Sequence, residues 1–215
     1  DSLKHIHRLI VLSATYRQSS RYNPSAARVD AGNRLLWRKS PERLEAETLR
    51  DAILSVAGQL DSRLDGPSFQ DFQITQAKGT AAMFYTPVER DRAEFHRRSL
   101  YRATVRGGGS RLLDAFDCPD PSATSPRRAV TTTPLQALAL LNNALVLRMA
   151  DAFARRLEHE AGSDVDRQIE RAYWLAYGRA PDPAEHRLAS QAVRQHGLFV
   201  LTRALFNSNE FLYVD

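Results

Sequence analysis

Apolar residues recur with a helical period over some stretches of the chain and lose all period over others. Leu3, Ile6, Leu9, Ile10 and Ala14 draw a helical stripe across residues 2–16. The stripe opens abruptly, which sets the expectation that the chain is an excerpt of a longer polypeptide. Residues 17–33 are polar and aperiodic. The clearest helix is predicted over 41–60, where Leu49, Ile53, Val56 and Leu60 form the buried stripe. Ser40 is placed to cap it, Pro41 suits the first helical position, and Glu42 and Glu45 favour the positive end of the dipole. Residues 67–110 lose the helical period. Partial alternation in Phe69–Ile74 and again in Ser99–Arg106 predicts a small β-hairpin or two short strands. Gly107-Gly108-Gly109 reads as a flexible turn, and without a following Lys-Ser or Lys-Thr it is no phosphate loop.

Four of the ten prolines fall in 117–134, which must be a long irregular connection. Thr133-Pro134-Leu135-Gln136 is a capping box with proline at the first helical position. It opens a helical stretch to about Glu160, with a bend expected at Asn142-Asn143. Three short helices complete the pattern. Ser163 is expected to cap one that ends at Gly178. Asp182-Pro183-Ala184-Glu185 is a second capping box, for a helix ending near Gly197. The last runs from Leu198 to Ser208, and the apolar tail Phe211-Leu212-Tyr213-Val214 is expected to dock on the body.

Composition narrows the class. The 215 residues are 43% hydrophobic and 26% charged, an ordinary globular balance that excludes wholesale disorder, collagen and coiled coil. No apolar run approaches about 18 residues, so no membrane span is expected. No basic–apolar–small leader opens the chain. The single cysteine, Cys118, excludes an internal disulfide framework and a Cys-rich zinc site. The net charge is +5, and all but Lys4, Lys39 and Lys78 of the 30 cations are arginine. A basic surface can steer toward nucleic acid, anionic lipid or anionic polysaccharide. The arginines, however, are scattered and often stand one helical turn from an acid, the pattern of ion-paired helix faces.

The chemistry-bearing residues form no known catalytic constellation. His5 and His7 are two apart, which puts them on different faces of a helix, and the remaining histidines are isolated. No metal site and no cofactor is expected in this chain. Cys118, between Asp117 and Pro119, lacks the basic neighbour a thiolate needs. Asp117 and Asp120 could serve as a carboxylate pair, although turn formation beside proline explains them as well. Arg97-Arg98 and Arg127-Arg128 could clamp an oxyanion. An inward-facing Arg97 or Arg98 would need a carboxylate such as Glu47, Asp51 or Asp117. Glu47 is spaced to pair with Arg43 and Arg50, and is expected to fix Arg50 together with one of Arg97 and Arg98. Tyr16, Tyr22 and Trp37 among Arg17, Arg21, Arg34 and Arg38 make a faint version of a nucleic-acid surface without any named binding motif.

Several motifs carry a resemblance. Tyr16-Arg17-Gln18-Ser19-Ser20, Asn33-Arg34-Leu35-Leu36, Arg43–Glu47, Arg50-Asp51, Arg97–Tyr101, Phe116-Asp117 with Pro119-Asp120, Pro134–Leu138 and Leu141-Asn142 occur in that order. Tyr173, Gly178-Arg179, Pro181, Leu205 and Asn207–Tyr213 follow. Together they resemble a planctomycete-specific domain family, number fifteen-fifty-three of the unknown-function series, over essentially the whole chain. The stretch from Tyr173 to Phe211 also resembles, more weakly, a helical module of secreted matrix and surface-layer proteins. The family resemblance implies a C-terminal domain of large exported proteins that begin with a cytochrome c-like domain. That implies a secreted, periplasmic or cell-envelope location, with the other domains of the longer polypeptide as partners. It implies no activity, and no haem motif stands in these residues.

The expectation is therefore a mainly α fold, a single helical domain over 1–215 with a small β-hairpin and long irregular loops, and 163–215 as a candidate helical subdomain. The expected function is a non-catalytic structural or binding module of a secreted multidomain bacterial protein, in polysaccharide handling, with anionic polysaccharide as the external partner. The alternatives are part of a shared active site of an exported hydrolase or redox-coupled enzyme, and nucleic-acid binding. If the domain alone holds a ligand, the candidates are Arg17, Gln18, Arg34, Glu47, Arg50, Arg97 and Asp117. They are polar, they stand in the motifs above, and they lie beside apolar stripes. Such a cluster either knits the fold or faces a ligand.

Overall fold

The computed structural model describes residues 2–88 and 92–214. In chain order the elements are α1 (Leu3–Leu12), α2 (Pro24–Val29), β1 (Glu42–Arg43), α3 (Ala46–Val56), β2 (Phe72–Gln76), β3 (Met83–Pro87), α4 (Arg111–Ala115), α5 (Pro134–Asn142), α6 (Ala144–Ala161), α7 (Val165–Tyr177), α8 (Pro183–His196), α9 (Leu198–Phe206), α10 (Asn209–Leu212) and β4 (Tyr213–Val214). The protein is mainly α with a small hairpin. The chain divides into two units, one formed by the residues up to Arg43 with the terminal strand, the other by Leu44–Leu212.

In the first unit, the stripe of α1 forms a helix as its period dictates, yet Leu3, Ile6, Leu9 and Ile10 are all exposed among the described residues. Asn23 starts α2 by accepting hydrogen bonds from the Ser25 and Ala26 amides, with Pro24 at the first position. The following loop turns at Asn33 and Leu36, both at φ 54°. The Asn33 side chain bridges the turn, donating to Arg38 O and accepting from the Arg38 amide. β1 pairs antiparallel with β4, Glu42 opposite Val214 and Arg43 opposite Tyr213.

That pairing corrects the predicted start of the long helix. The helix begins at Ala46 with Glu45 as its cap, and residues 42–43 are strand. The Ser40 hydroxyl, the expected cap, instead accepts from Asn33 Nδ2 at 3.1 Å. The hairpin is also displaced. It is formed by β2 and β3 in antiparallel register, with Phe72 opposite Pro87 and Gln76 opposite Met83. Ser99–Tyr101, expected to be extended, is a single 3₁₀ turn, and the chain around it makes only isolated bridges, Asp61 with Arg97 and Phe69 with Arg102.

The core of the second unit follows from the helical periods. Val146, Met149, Ala150, Phe153 and Leu157 recur at three- and four-residue spacing along α6 and are all but completely buried. They meet Leu49, Ile53 and Leu54 of α3, Leu140 of α5, Ile169 of α7, and Leu205 and Phe206 of α9. The Phe153 and Phe206 rings lie 5.6 Å apart. Thr202, fully buried, donates to Ala150 O at 2.8 Å and so satisfies its hydroxyl inside this core. α5 and α6 meet at 55°, because Asn143 leaves the helical region at ψ 130° and then caps α6, accepting from the Leu145 amide at 2.9 Å. Both capping boxes form, at Thr133/Gln136 and Asp182/Glu185, while α7 is capped by Asp164 rather than by Ser163. Among the described residues, no single helix is long and apolar enough to cross a membrane.

Candidate functional site

The polar motifs of the second unit condense into two knots and one open cleft. The first knot forms around Arg50, carried by α3 into the core with 5% of its surface exposed. Its Nη1 donates to Arg97 O at 3.0 Å and Ser99 Oγ at 3.2 Å, and its Nη2 donates to Phe95 O. The neighbouring Asp51 carboxylate takes Nη1 at 3.3 Å and also accepts from the Ser99 amide and hydroxyl, each at 2.8 Å. Burial depresses the Arg50 pKa; Asp51 and then Asp71 oppose that, and Arg102 reinforces it. The carboxylate that anchors Arg50 is thus Asp51, not the Glu47 expected from helical spacing. Adjacent residues of a helix can converge on one partner loop when that loop, here 95–99, wraps over both.

Arg97 extends the knot. Its Nη1 donates to Pro67 O, its Nη2 to Asp65 O and Arg63 O, and its guanidinium lies 3.9 Å from the Tyr101 ring centroid. It ties the loop 61–68 to the 3₁₀ turn through backbone carbonyls, not through a carboxylate. A hollow of about 510 Å³ lies under this loop, with Arg97 among its walls.

The second knot holds the proline-rich connection. Glu47 receives Arg128 bidentately, at 2.7 and 2.9 Å, and the Cys118 thiol at 3.7 Å. The Arg128 hydrogen bond holds the Glu47 carboxyl below its usual range, despite partial burial. Burial first, then the Glu47 charge, push the Cys118 thiol up, which leaves it a poor nucleophile at neutral pH. Asp117 sits at φ 62° and accepts from the Thr131 amide and hydroxyl, both at 2.8 Å. Gln136 closes the capping box by accepting from the Thr133 amide at 3.3 Å, and its Nε2 reaches back to Thr131 O at 3.1 Å. One face of the connection is therefore bonded at Asp117, Arg128 and Thr131, although residues 120–132 are exposed.

In the first unit, Gln18 donates to Leu36 O at 2.5 Å and stays structural. The side chains of Arg17 and Arg34 are exposed and make no hydrogen bond or ion pair to the described residues. Trp37 donates to Asp30 O at 2.8 Å, and Arg38 packs over both the Tyr22 and Trp37 rings. The aromatic–arginine pattern read from the sequence is here a small packed cluster. Of the seven candidates, Arg50 and Arg97 join the first knot of the second unit, and Glu47 and Asp117 the second.

Besides the hollow under the 61–68 loop, the second unit holds a cleft of about 470 Å³, a size suited to a small ligand. Arg50 and Phe95 lie at its inner wall; Asp71, Val88 and Arg102 bound one side, Gly109–Leu112 another, and the α5–α6 elbow with Arg148 a third. Arg102 Nε donates to Asp71 Oδ2 at 2.8 Å, and its terminal Nη groups make no hydrogen bond to the described residues. The Arg111 side chain is exposed and makes no hydrogen bond or ion pair to the described residues. A Cβ at Gly109 would oblige the exposed Asp114 carboxylate to move aside. Arg102 and Arg111 were not singled out from the sequence. Their signal lay in the loop between two broken periods, where neither a helix face nor strand alternation could orient a side chain.

Among the described residues, no group of three or more His, Cys, Asp or Glu is placed to hold a metal ion. No curated protein and no solved structure matches the chain. The family model PSD1, described as "Protein of unknown function (DUF1553)", matches residues 1–193, and the chain belongs to that family.

Proposed function

We propose that the chain is a non-catalytic binding module for an anionic polysaccharide, serving a longer exported bacterial polypeptide. One observation carries this reading. The buried Arg50 and Arg97 tie loops together, while at the cleft the Nη groups of Arg102 and the side chain of Arg111 make no hydrogen bond to the described residues. Guanidinium groups in a concave site recognise carboxylate and sulfate, through paired and charge-assisted hydrogen bonds. The planctomycete, cell-envelope and cytochrome c-associated setting belongs to the same proposal and rests on the resemblance of the motifs.

The test is retention of the folded chain on an immobilised polyuronate against a neutral glucan, at 0.15 M salt. The reading expects selective retention on the polyuronate that competing soluble polyuronate reverses. Equal elution from both matrices would contradict it. A basic chain binds any polyanion weakly at low salt, so the physiological ionic strength is part of the test.

A further inference from the structure

We infer that the cleft at the α5–α6 elbow is an oxyanion site that takes a single carboxylate- or sulfate-bearing sugar ring, with Arg102 and Arg111 as its ligands. The inference rests on the binding-module reading and adds the place and the chemistry. Four arginines and one aspartate stand among the lining residues, so the walls carry more positive than negative charge, although Asp51 pairs with Arg50. Asp71 is joined to Arg102 through Nε, and neither Nη group makes a hydrogen bond to the described residues. Ala144 and Leu145, in the first turn of the 18-residue α6, line the cleft beside Leu138, Ala139 and Asn142 of the last turns of α5, so the opposed ends of the two helices meet there. Phe95, Val88, Leu112 and Leu138 add apolar surface to the lining. A charged group on a ring with an apolar face fits such a lining better than a free inorganic anion, which would leave that surface unused. Arg102 is also pre-positioned. Asp71 fixes its Nε end, and its guanidinium lies 5.9 Å from the Phe72 ring, so little side-chain freedom is left to lose on binding.

Titration calorimetry on the whole chain in 0.15 M salt tests this, with glucuronate, glucose 6-sulfate and glucose as probes. Binding of glucuronate, of glucose 6-sulfate, or of both, without binding of glucose, is the expected result; the two anions tell a carboxylate site from a sulfate site. Arg111→Ala is expected to weaken that binding at least tenfold with no change in melting temperature, because the Arg111 side chain is exposed and makes no hydrogen bond or ion pair to the described residues. Arg155→Ala removes the same charge from the outer face of α6, where Arg155 pairs with Asp151, and is expected to leave binding unchanged. Absence of binding to both anions, or equal loss in the Arg111 and Arg155 variants, would overturn the site. Polyuronate retention that survives Arg111→Ala would refute the cleft while leaving the binding-module reading standing, so the two failures are distinguishable.

Discussion

Arg50 and Arg111 are chemically the same residue in opposite settings. Arg50 is surrounded by Phe95 O, Arg97 O, Ser99 Oγ and the Asp51 carboxylate, whereas Arg111 opens to solvent in the cleft. Removing the partner of a buried charge strands that charge in low dielectric. Asp51→Ala is expected to cost about 3–5 kcal/mol, since it also orphans the Ser99 amide. For a chain of this size that lowers the melting temperature by roughly 6–20 °C, readable by calorimetry. Glu47→Gln should behave differently. Its pair with Arg128 is about one-third exposed on both sides, so the expected loss is under about 1 kcal/mol. If Glu47→Gln proved the more damaging of the two, the assignment of the buried anchor to Asp51 would be wrong. Arg50 and Asp51 both stand in the sequence motifs, but their shared partner loop begins 44 residues later, and no local rule pairs them.

At the level of elements, local chemistry predicted best where it had no distant competitor. The Asp182/Glu185 capping box starts α8 as read, and Gly178 at φ 72° ends α7 as read. Asp182→Ala is expected to cost about 1 kcal/mol, a melting shift of a few degrees. Glu185 does double duty, accepting from the Asp182 amide and, bidentately, from Arg179, whose other edge grips Glu210. Arg179 holds the Glu185 carboxyl down to about 2, from an ordinary value of 4.5. A depressed carboxylate contributes stability that is present above its unfolded pKa and is lost as pH falls through the folded one. Stability in the wild type should therefore decline between about pH 4.5 and 2 in part through this group, and denaturant melts of Glu185→Gln should show a shallower decline over that window. An identical slope in both would contradict the coupling. The sequence misled at Ser40-Pro41 and at Ser99–Tyr101. The Ser40 hydroxyl is held by Asn33, and Glu42-Arg43 pair with Tyr213-Val214, a partner about 170 residues away. Ser99 is wound into a turn because Asp51 takes its amide. In both places a long-range polar contact defeats a sound local signal.

Across the whole molecule, the two units divide the candidate residues between them. Arg17, Gln18 and Arg34 lie in the first, Glu47, Arg50, Arg97 and Asp117 in the second, and the cleft is built entirely within the second. The fold class was legible because amphipathic period and capping boxes are encoded within single helices. The cleft was not, because its walls come from α3, the hairpin, the loop before α4 and the α5–α6 elbow, and only packing brings them to one place. The account holds that Arg50 and Arg97 build the scaffold and that Arg102 and Arg111 do the binding. Its most direct test is the affinity for an acidic sugar that binds the wild type, measured in Arg111→Ala beside Arg155→Ala. At least tenfold weakening in the first alone is predicted; equal affinity in the two variants would contradict the account.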